Sequence, residues 1–282
     1  MYKKAIIIKE KKSVLGPIAD ALQKTGVDLF DFSELKKIKD YDYLIIFYNK
    51  LPPKIETKAK IGWWMNDLKH PNKFNFHPST FDKIFLCNLE YKEEYFNKFQ
   101  KEVYYMPQCG ADFSNTFCRN IDWEVLFIGN NSSKLYHYNR REILETIGNN
   151  FKLKIISGEK TSFDQNMLYK KTKFNLSISV PLNTVTSNRL YNILASGGLA
   201  LVSWFPGIEN LFKNKKHLIW FREAEEAVEL IKYYQNHEEE RQEIVKAGNK
   251  LYLEKHTAKC RIDNMVDILK GTETKFRGWL NQ

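Results

Sequence analysis

Short apolar, β-branched runs alternate with amphipathic segments along this chain, and that alternation leaves little room for anything but an α/β fold. Lys4–Lys9 reads as a buried first strand, followed by Val27–Phe30, Tyr43–Tyr48, Lys60–Met65, Lys83–Cys87 and Val103–Met106. Near-continuous apolar runs of this kind suit parallel strands covered on both faces. Between them, Pro17 suits the first turn of a helix reaching about Lys24, and Glu90–Phe99 has helical character. Periodicity lapses over Gln108–Ile121, which reads as a linker, and then resumes. Further strands are predicted at Trp123–Ile128, Phe151–Ile156, Phe174–Val180, Leu199–Ser203 and Leu218–Phe221. Helices are predicted over Asn139–Ile147, Asp164–Lys171, Arg189–Ala195, Ala224–Asn236, Glu238–Lys255 and Arg261–Leu269. Two doubly wound, Rossmann-like domains are therefore expected, residues 1–115 and 116–262, with 263–282 as a C-terminal helical segment. Ligands of such sheets sit beyond the carboxyl ends of strands, at switch points, and the cleft between the two domains is the expected site.

Composition narrows the class. A chain of 282 residues has the length of two domains, and 43% hydrophobic with 28% charged residues excludes disordered and collagen-like chains. The longest apolar runs fall far short of the ~20 residues that span a bilayer. The opening Met-Tyr-Lys-Lys and its four-residue apolar run are too short for a secretory leader. Four cysteines show no Cys-x-x-Cys spacing, so reduced thiols and a cytoplasmic protein are expected. The net charge of +10 rests on lysine and is spread evenly, with no basic arm. Solvated surface explains most of it, and a polyanionic partner is the alternative.

Several chemistries lack their motif. There is no G-x-G-x-x-G, no P-loop and no G-x-S-x-G elbow. The histidines have no H-E-x-x-H spacing, and no metal site is predicted. Asp40-Tyr41-Asp42 is formally a D-x-D, but it precedes a strand and reads as a turn.

Residues 186–210 are the most specific stretch: a polar loop, a helix start, an apolar helix, a Gly-Gly stop and a buried strand. Thr186, Ser187 and Asn188 are capping-type residues, and a helix N-terminus favours a phosphate. Arg189 can clamp two phosphate oxygens with its planar fork. Asn192, three residues on, shares nearly the same helix face and can hydrogen-bond a ribose hydroxyl.

Arg189, Tyr191, Ala195, Gly197, Gly198, Gly207, Ile208 and Glu209 together resemble the donor-binding segment of GT-B fold glycosyltransferases, especially the spore maturation protein CgeB-like group. The likeness runs over residues 123–269 and is weaker over 1–115. It implies two Rossmann-like domains of the GT-B type facing across a cleft, with Phe276–Leu280 as a helix returning to the first. It implies a nucleotide-sugar donor, UDP-linked, and no required metal. Gly129-Asn130 would face the donor phosphates, and Ser157-Gly158 would seat the nucleobase. The family has Glu where this chain has Asn192, and the acid of retaining members is replaced by Thr184, so the stereochemical course does not carry over.

In the first domain, Trp63-Trp64-Met-Asn-Asp67-Leu-Lys-His70 ends a strand. The resemblance places a Trp-x-x-Asp at the reaction site, on the acceptor side. Asp67 at a cleft can take a proton from an acceptor hydroxyl, and His70 is the second candidate base. Gly16, after the first strand, permits close backbone approach of a ligand. Residues 50–73 carry a net charge of +4 with Trp63, Trp64 and nearby Phe74 and Phe76 interleaved, the ingredients of a nucleic-acid groove and equally of a lysine-rich surface over an aromatic core. The expected activity is transfer of a sugar to an acceptor hydroxyl. The acceptor is either a hydroxymethyl pyrimidine in DNA or a cell-envelope or spore-surface glycan. A non-catalytic nucleotide- or sugar-binding module is the third reading, motivated by Asn192 and Thr184.

Overall fold

The computed structural model describes residues 2–8, 21–38, 40–48, 50, 52, 54–65, 69–74, 81–113, 121–129, 139–157 and 162–280. The chain divides into two compact units, Met1–Gln108 with Ala258–Arg277, and Cys109–Thr257 with Gly278–Gln282.

The first unit holds a six-stranded sheet of β1 (Lys4–Ile8), β2 (Asp28–Asp31), β3 (Tyr43–Phe47), β4 (Lys60–Met65), β5 (Lys83–Leu86) and β6 (Val103–Tyr105), in the order β2-β1-β3-β4-β5-β6. All neighbours pair in parallel, and Ile6 sits between Leu29 and Ile45 in register. Helix α1 (Lys92–Phe99) follows β5 and buries Tyr95 and Phe99. Its core gathers Ile7, Ile46, Trp63, Ile84 and Phe99.

The second unit holds a five-stranded parallel sheet of β7 (Trp123–Ile128), β8 (Leu153–Ile156), β9 (Thr172–Ser177), β10 (Ala200–Ser203) and β11 (Ile219–Phe221), in the order β11-β10-β9-β7-β8. Helices α2 (Arg140–Asn150), α3 (Ser162–Lys170), α4 (Asn188–Ser196), α5 (Ala224–Gln235) and α6 (Glu238–Lys255) connect and cover these strands. Phe127, Phe174, Leu201 and Ile219 are wholly buried beneath Ile147 of α2 and Ile231 of α5. Each such side chain contributes roughly 1.5–3 kcal/mol by leaving water. Gly197 ends α4 with a left-handed φ of 75°, which a residue without Cβ adopts cheaply.

Both sheets reverse direction next to their first strand, between β1 and β3 and between β7 and β9. Such switch points leave a crevice at the carboxyl ends of the strands.

The division differs from the expected boundaries at 115 and 262. Cys109, Ala111 and Phe113 are buried, and Tyr252 of α6 donates to the Ala111 carbonyl, so the start of the expected linker packs in the second unit. The last helix, α7 (Ala258–Lys270), packs in the first unit, where Lys4 pairs with Asp263 and Lys60 donates to the Leu269 carbonyl. Phe276–Leu280 is turn rather than the expected helix. Phe276 lies under the Arg261 guanidinium in the first unit, and the Leu280 N–H donates to Asn210 in the second. No helix among the described residues is long and apolar enough to cross a membrane.

Candidate functional site

The sheet of the second unit switches direction between β7 and β9, and Arg189 bridges the ends of those two strands. Its Nε donates to the Ile128 carbonyl at 2.6 Å, and its Nη1 to the Ile178 carbonyl at 3.2 Å. The guanidinium lies 4.5 Å over the Phe127 ring. Gly129 makes this approach possible: a Cβ there would stand 2.2 Å from Arg189 Nη2. Among the described residues no carboxylate pairs with Arg189. Burial lowers its pKa.

A second arginine joins it. Arg140, first residue of α2, is only 8% exposed and donates through Nη2 to the same Ile178 carbonyl at 2.9 Å. It also faces the Phe127 ring, at 5.4 Å. Burial and then the Arg189 charge pull its pKa down to about 9. Two desolvated guanidiniums at one carbonyl concentrate positive charge at the switch point. β9 stops at Ser177 rather than the expected Val180, and the Ile178 carbonyl serves the two arginines.

The start of α4 completes this corner. Ser187 precedes the helix with extended backbone (φ −113°, ψ 156°), and its side chain makes no capping bond. Its Oγ is buried with no hydrogen-bond partner among the described residues. Thr186 is buried and accepts from the Tyr191 hydroxyl at 3.3 Å. Asn188 is half-buried at the first helical position. The expected Ser187 capping bond is therefore absent, and the Leu190 N–H closes the first turn onto the Ser187 carbonyl at 3.1 Å. The loop leading in is strained, since β-branched Thr184 is buried with φ 55°.

Asn192 is engaged within the second unit. It is 4% exposed; its Oδ1 accepts from the Ala111 N–H at 2.7 Å, and its Nδ2 faces Gln165 Oε1 at 3.4 Å. The Asn192 amide oxygen thereby ties Ala111 of the largely buried 109–113 segment to α4. Ser157 is exposed just beyond β8, while Asn130 and Gly158 lie outside the described residues.

The acceptor-side expectations fare less well. Trp63 and Trp64 are both 0% exposed. Trp63 is packed among Phe74, Phe81, Tyr95 and Phe99 and donates to the Tyr48 carbonyl at 2.9 Å. Trp64 donates to the Met106 carbonyl at 2.9 Å. Neither ring offers a face to a ligand, so both are core residues. His70 caps a short 3-10 turn, Pro71–Lys73, by accepting from the Asn72 N–H at 3.2 Å, with its ring edge-on to Tyr91. Asp67 and Gly16 lie outside the described residues.

Arg140 was not among the predicted site residues. A signal was present: Arg140, Ile143, Leu144 and Ile147 fall at i, i+3, i+4 and i+7, and all four are buried. Among the described residues no group of three or more His, Cys, Asp or Glu side chains could hold a metal ion.

Residues 139–267 match a family model described as glycosyl transferase-like. No curated protein sequence matches the chain. Among solved structures, the chain is similar to Anabaena HepE in complex with UDP and glucose, at 7% identity and TM-score 0.65, over 96% of this chain and 100% of that one. It is similar to a DNA modifying enzyme, β-glucosyltransferase, solved with and without uridine diphosphoglucose, at 13% identity and TM-score 0.63, over 95% and 99% of the two chains. It is also similar to T4 phage BGT in complex with its UDP-glucose substrate, at 12% identity and TM-score 0.59, over 95% and 99%. With two Rossmann-like parallel sheets and these likenesses over nearly its whole length, the chain has the GT-B fold.

Proposed function

We propose that this protein is a glycosyltransferase that moves a sugar from a UDP-linked donor to an acceptor hydroxyl, with the donor held by the second unit. The observation that carries this reading is Arg189, pinned across the Ile128 and Ile178 carbonyls at the start of α4 with no carboxylate partner among the described residues. An anion is what such a corner lacks. In the transfer step the acceptor oxygen bonds to the anomeric carbon as the bond from that carbon to the diphosphate oxygen breaks. The electron pair leaves with the diphosphate. Arg189, Arg140 and the α4 N-terminus face that growing charge, and such preorganised donors lower the barrier. These groups can neutralise the leaving diphosphate in the role a metal would otherwise take. The acceptor proton goes to a base, for which Asp67 remains the candidate on the family resemblance, with His70 second.

The pattern of Arg189, Tyr191, Gly197-Gly198 and Gly207-Ile208-Glu209 supports kinship with the CgeB-like group. For the acceptor, a hydroxymethyl pyrimidine in DNA is supported by the likeness to a DNA modifying enzyme and by the charge of +10. The burial of Trp63 and Trp64 removes the aromatic half of the argument from residues 50–73. A cell-envelope or spore-surface glycan is the second reading, supported by the CgeB-like pattern. Transfer assays with UDP-sugars on hydroxymethylated DNA and on glycans test both. Donor binding with neither transfer nor hydrolysis would instead favour the non-catalytic module.

A further inference from the structure

Beside the Arg189 corner, the second unit has a cavity of about 170 Å³ whose lining does not include Arg189. It opens beyond the carboxyl ends of β9, β10 and β11 and is bounded by Arg140, Ile178, Ser179, Ser203, Trp204 and Arg222, among others. Its floor is buried: Ile178, Ser203 and Arg140 are 3%, 8% and 8% exposed. Ser203 Oγ accepts from the Ser179 N–H at 3.0 Å, which ties the β9 and β10 ends together. At the mouth, the exposed Arg222 guanidinium rests 4.1 Å over the Trp204 ring. That ring is held in turn by its Nε1 donating to Glu209 at 2.7 Å. A guanidinium laid on an aromatic face is pre-positioned, so less entropy is lost when it binds.

Among the described residues the lining carries two guanidiniums and no carboxylate. Of the acids bonded to the lining residues Trp204 and Arg222, Glu209 takes the Trp204 indole N–H and Glu226 takes the Arg222 backbone N–H. The cavity is smaller than the roughly 300–1,000 Å³ of whole-ligand pockets, so it suits one ring or one substituent. It also adjoins the Arg189 corner, because Arg140 belongs to its lining and shares the Ile178 carbonyl with Arg189. A ligand whose diphosphate lies at Arg189 would meet this cavity with its next group, the sugar.

We propose that this cavity selects a donor whose sugar carries a carboxylate, a nucleotide-linked uronic acid, with Arg222 as the specificity-determining residue. The inference rests on the second unit being a nucleotide-sugar site. Arg222 at the mouth and Arg140 at the floor would bracket the carboxylate, while Ser179 and Ser203 offer small polar contacts to ring hydroxyls.

The test is equilibrium binding of UDP-glucuronate and UDP-galacturonate against UDP-glucose and UDP-galactose, in wild type and in Arg222→Gln, at one fixed salt concentration. At least one acidic sugar is expected to bind about tenfold or more tightly than its neutral counterpart, the scale of one charge-assisted contact. In Arg222→Gln that ratio should fall towards one. A general loss of binding moves both affinities together, so the ratio isolates this cavity. Equal affinities in wild type, or a ratio that survives in Arg222→Gln, would overturn the inference. Binding of UDP alone separates the two claims. If UDP binds and the ratio is one, only this inference falls; if UDP does not bind, the nucleotide-sugar reading falls and takes this inference with it.

Discussion

Arg189 and Arg140 donate to one carbonyl oxygen, that of Ile178, at 3.2 and 2.9 Å. One guanidinium comes from the start of α4 and the other from the start of α2, and both lie over the Phe127 ring. Two like charges brought together out of water repel, and an anion bound beside both would offset that repulsion.

Arg140 should therefore trade stability for affinity. Replacing it with Gln removes a desolvated charge beside Arg189, so the ligand-free protein is expected to melt at the same or a higher temperature. UDP should then bind about tenfold more weakly, the scale of one lost charge-assisted contact. Thermal melts with and without UDP read both effects. A lower melting temperature together with unchanged affinity would show that Arg140 is structural only.

Gly129 is expected to tolerate no side chain. In Gly129→Ala the new Cβ collides with the Arg189 guanidinium, which must leave its carbonyl anchors. Donor affinity should fall and stability should drop by about 1–3 kcal/mol, as overpacking typically costs. Urea unfolding with parallel UDP titration checks this, and a variant with full affinity would contradict the described geometry.

Asn192 should behave in the opposite way to Arg189. Asn192→Ala leaves the Ala111 N–H without its acceptor, which costs about 1–3 kcal/mol for a buried donor. Chemical denaturation is expected to register that loss, while UDP affinity changes by less than about threefold, or under 0.7 kcal/mol. A large affinity loss with full stability would return Asn192 to the ribose.

Acid should weaken the second unit through His217. This residue is buried, its Nδ1 accepts from the Lys213 N–H at 3.1 Å, and burial with Lys216 and Lys213 pulls its pKa from 6.5 to about 4. The unfolded chain takes up its proton first, so this contribution is fully present above pH 6.5 and is lost as pH falls towards 4. Unfolding free energies between pH 7 and 4.5 should fall less steeply in His217→Gln than in wild type. Identical slopes would remove His217 from the account.

Much of this architecture was legible because strands buried on both faces write themselves as unbroken apolar runs. Lys60–Met65, Trp123–Ile128 and Glu238–Lys255 begin and end where periodicity placed them. Boundaries set by tertiary contacts were not legible. Nothing local says that the Ile178 carbonyl serves two distant arginines, or that Asn192 and Tyr252 hold Ala111. Trp63 and Trp64 misled because a Trp at a strand end suits a core and a stacking surface equally, and only the surrounding rings decide. Arg189 was readable from its place at a helix start, whereas Arg140 was hidden beside Arg141, its exposed neighbour, which pairs with Glu145.

The central claim is that Arg189 holds a diphosphate, and the most direct measurement is calorimetric titration of UDP and of uridine into wild type and Arg189→Ala. Wild type is expected to bind UDP well above uridine, by about tenfold to a hundredfold for contacts of this kind. Arg189→Ala, folded by circular dichroism, should bind UDP and uridine nearly alike. Equal UDP affinity in the two proteins would contradict the account.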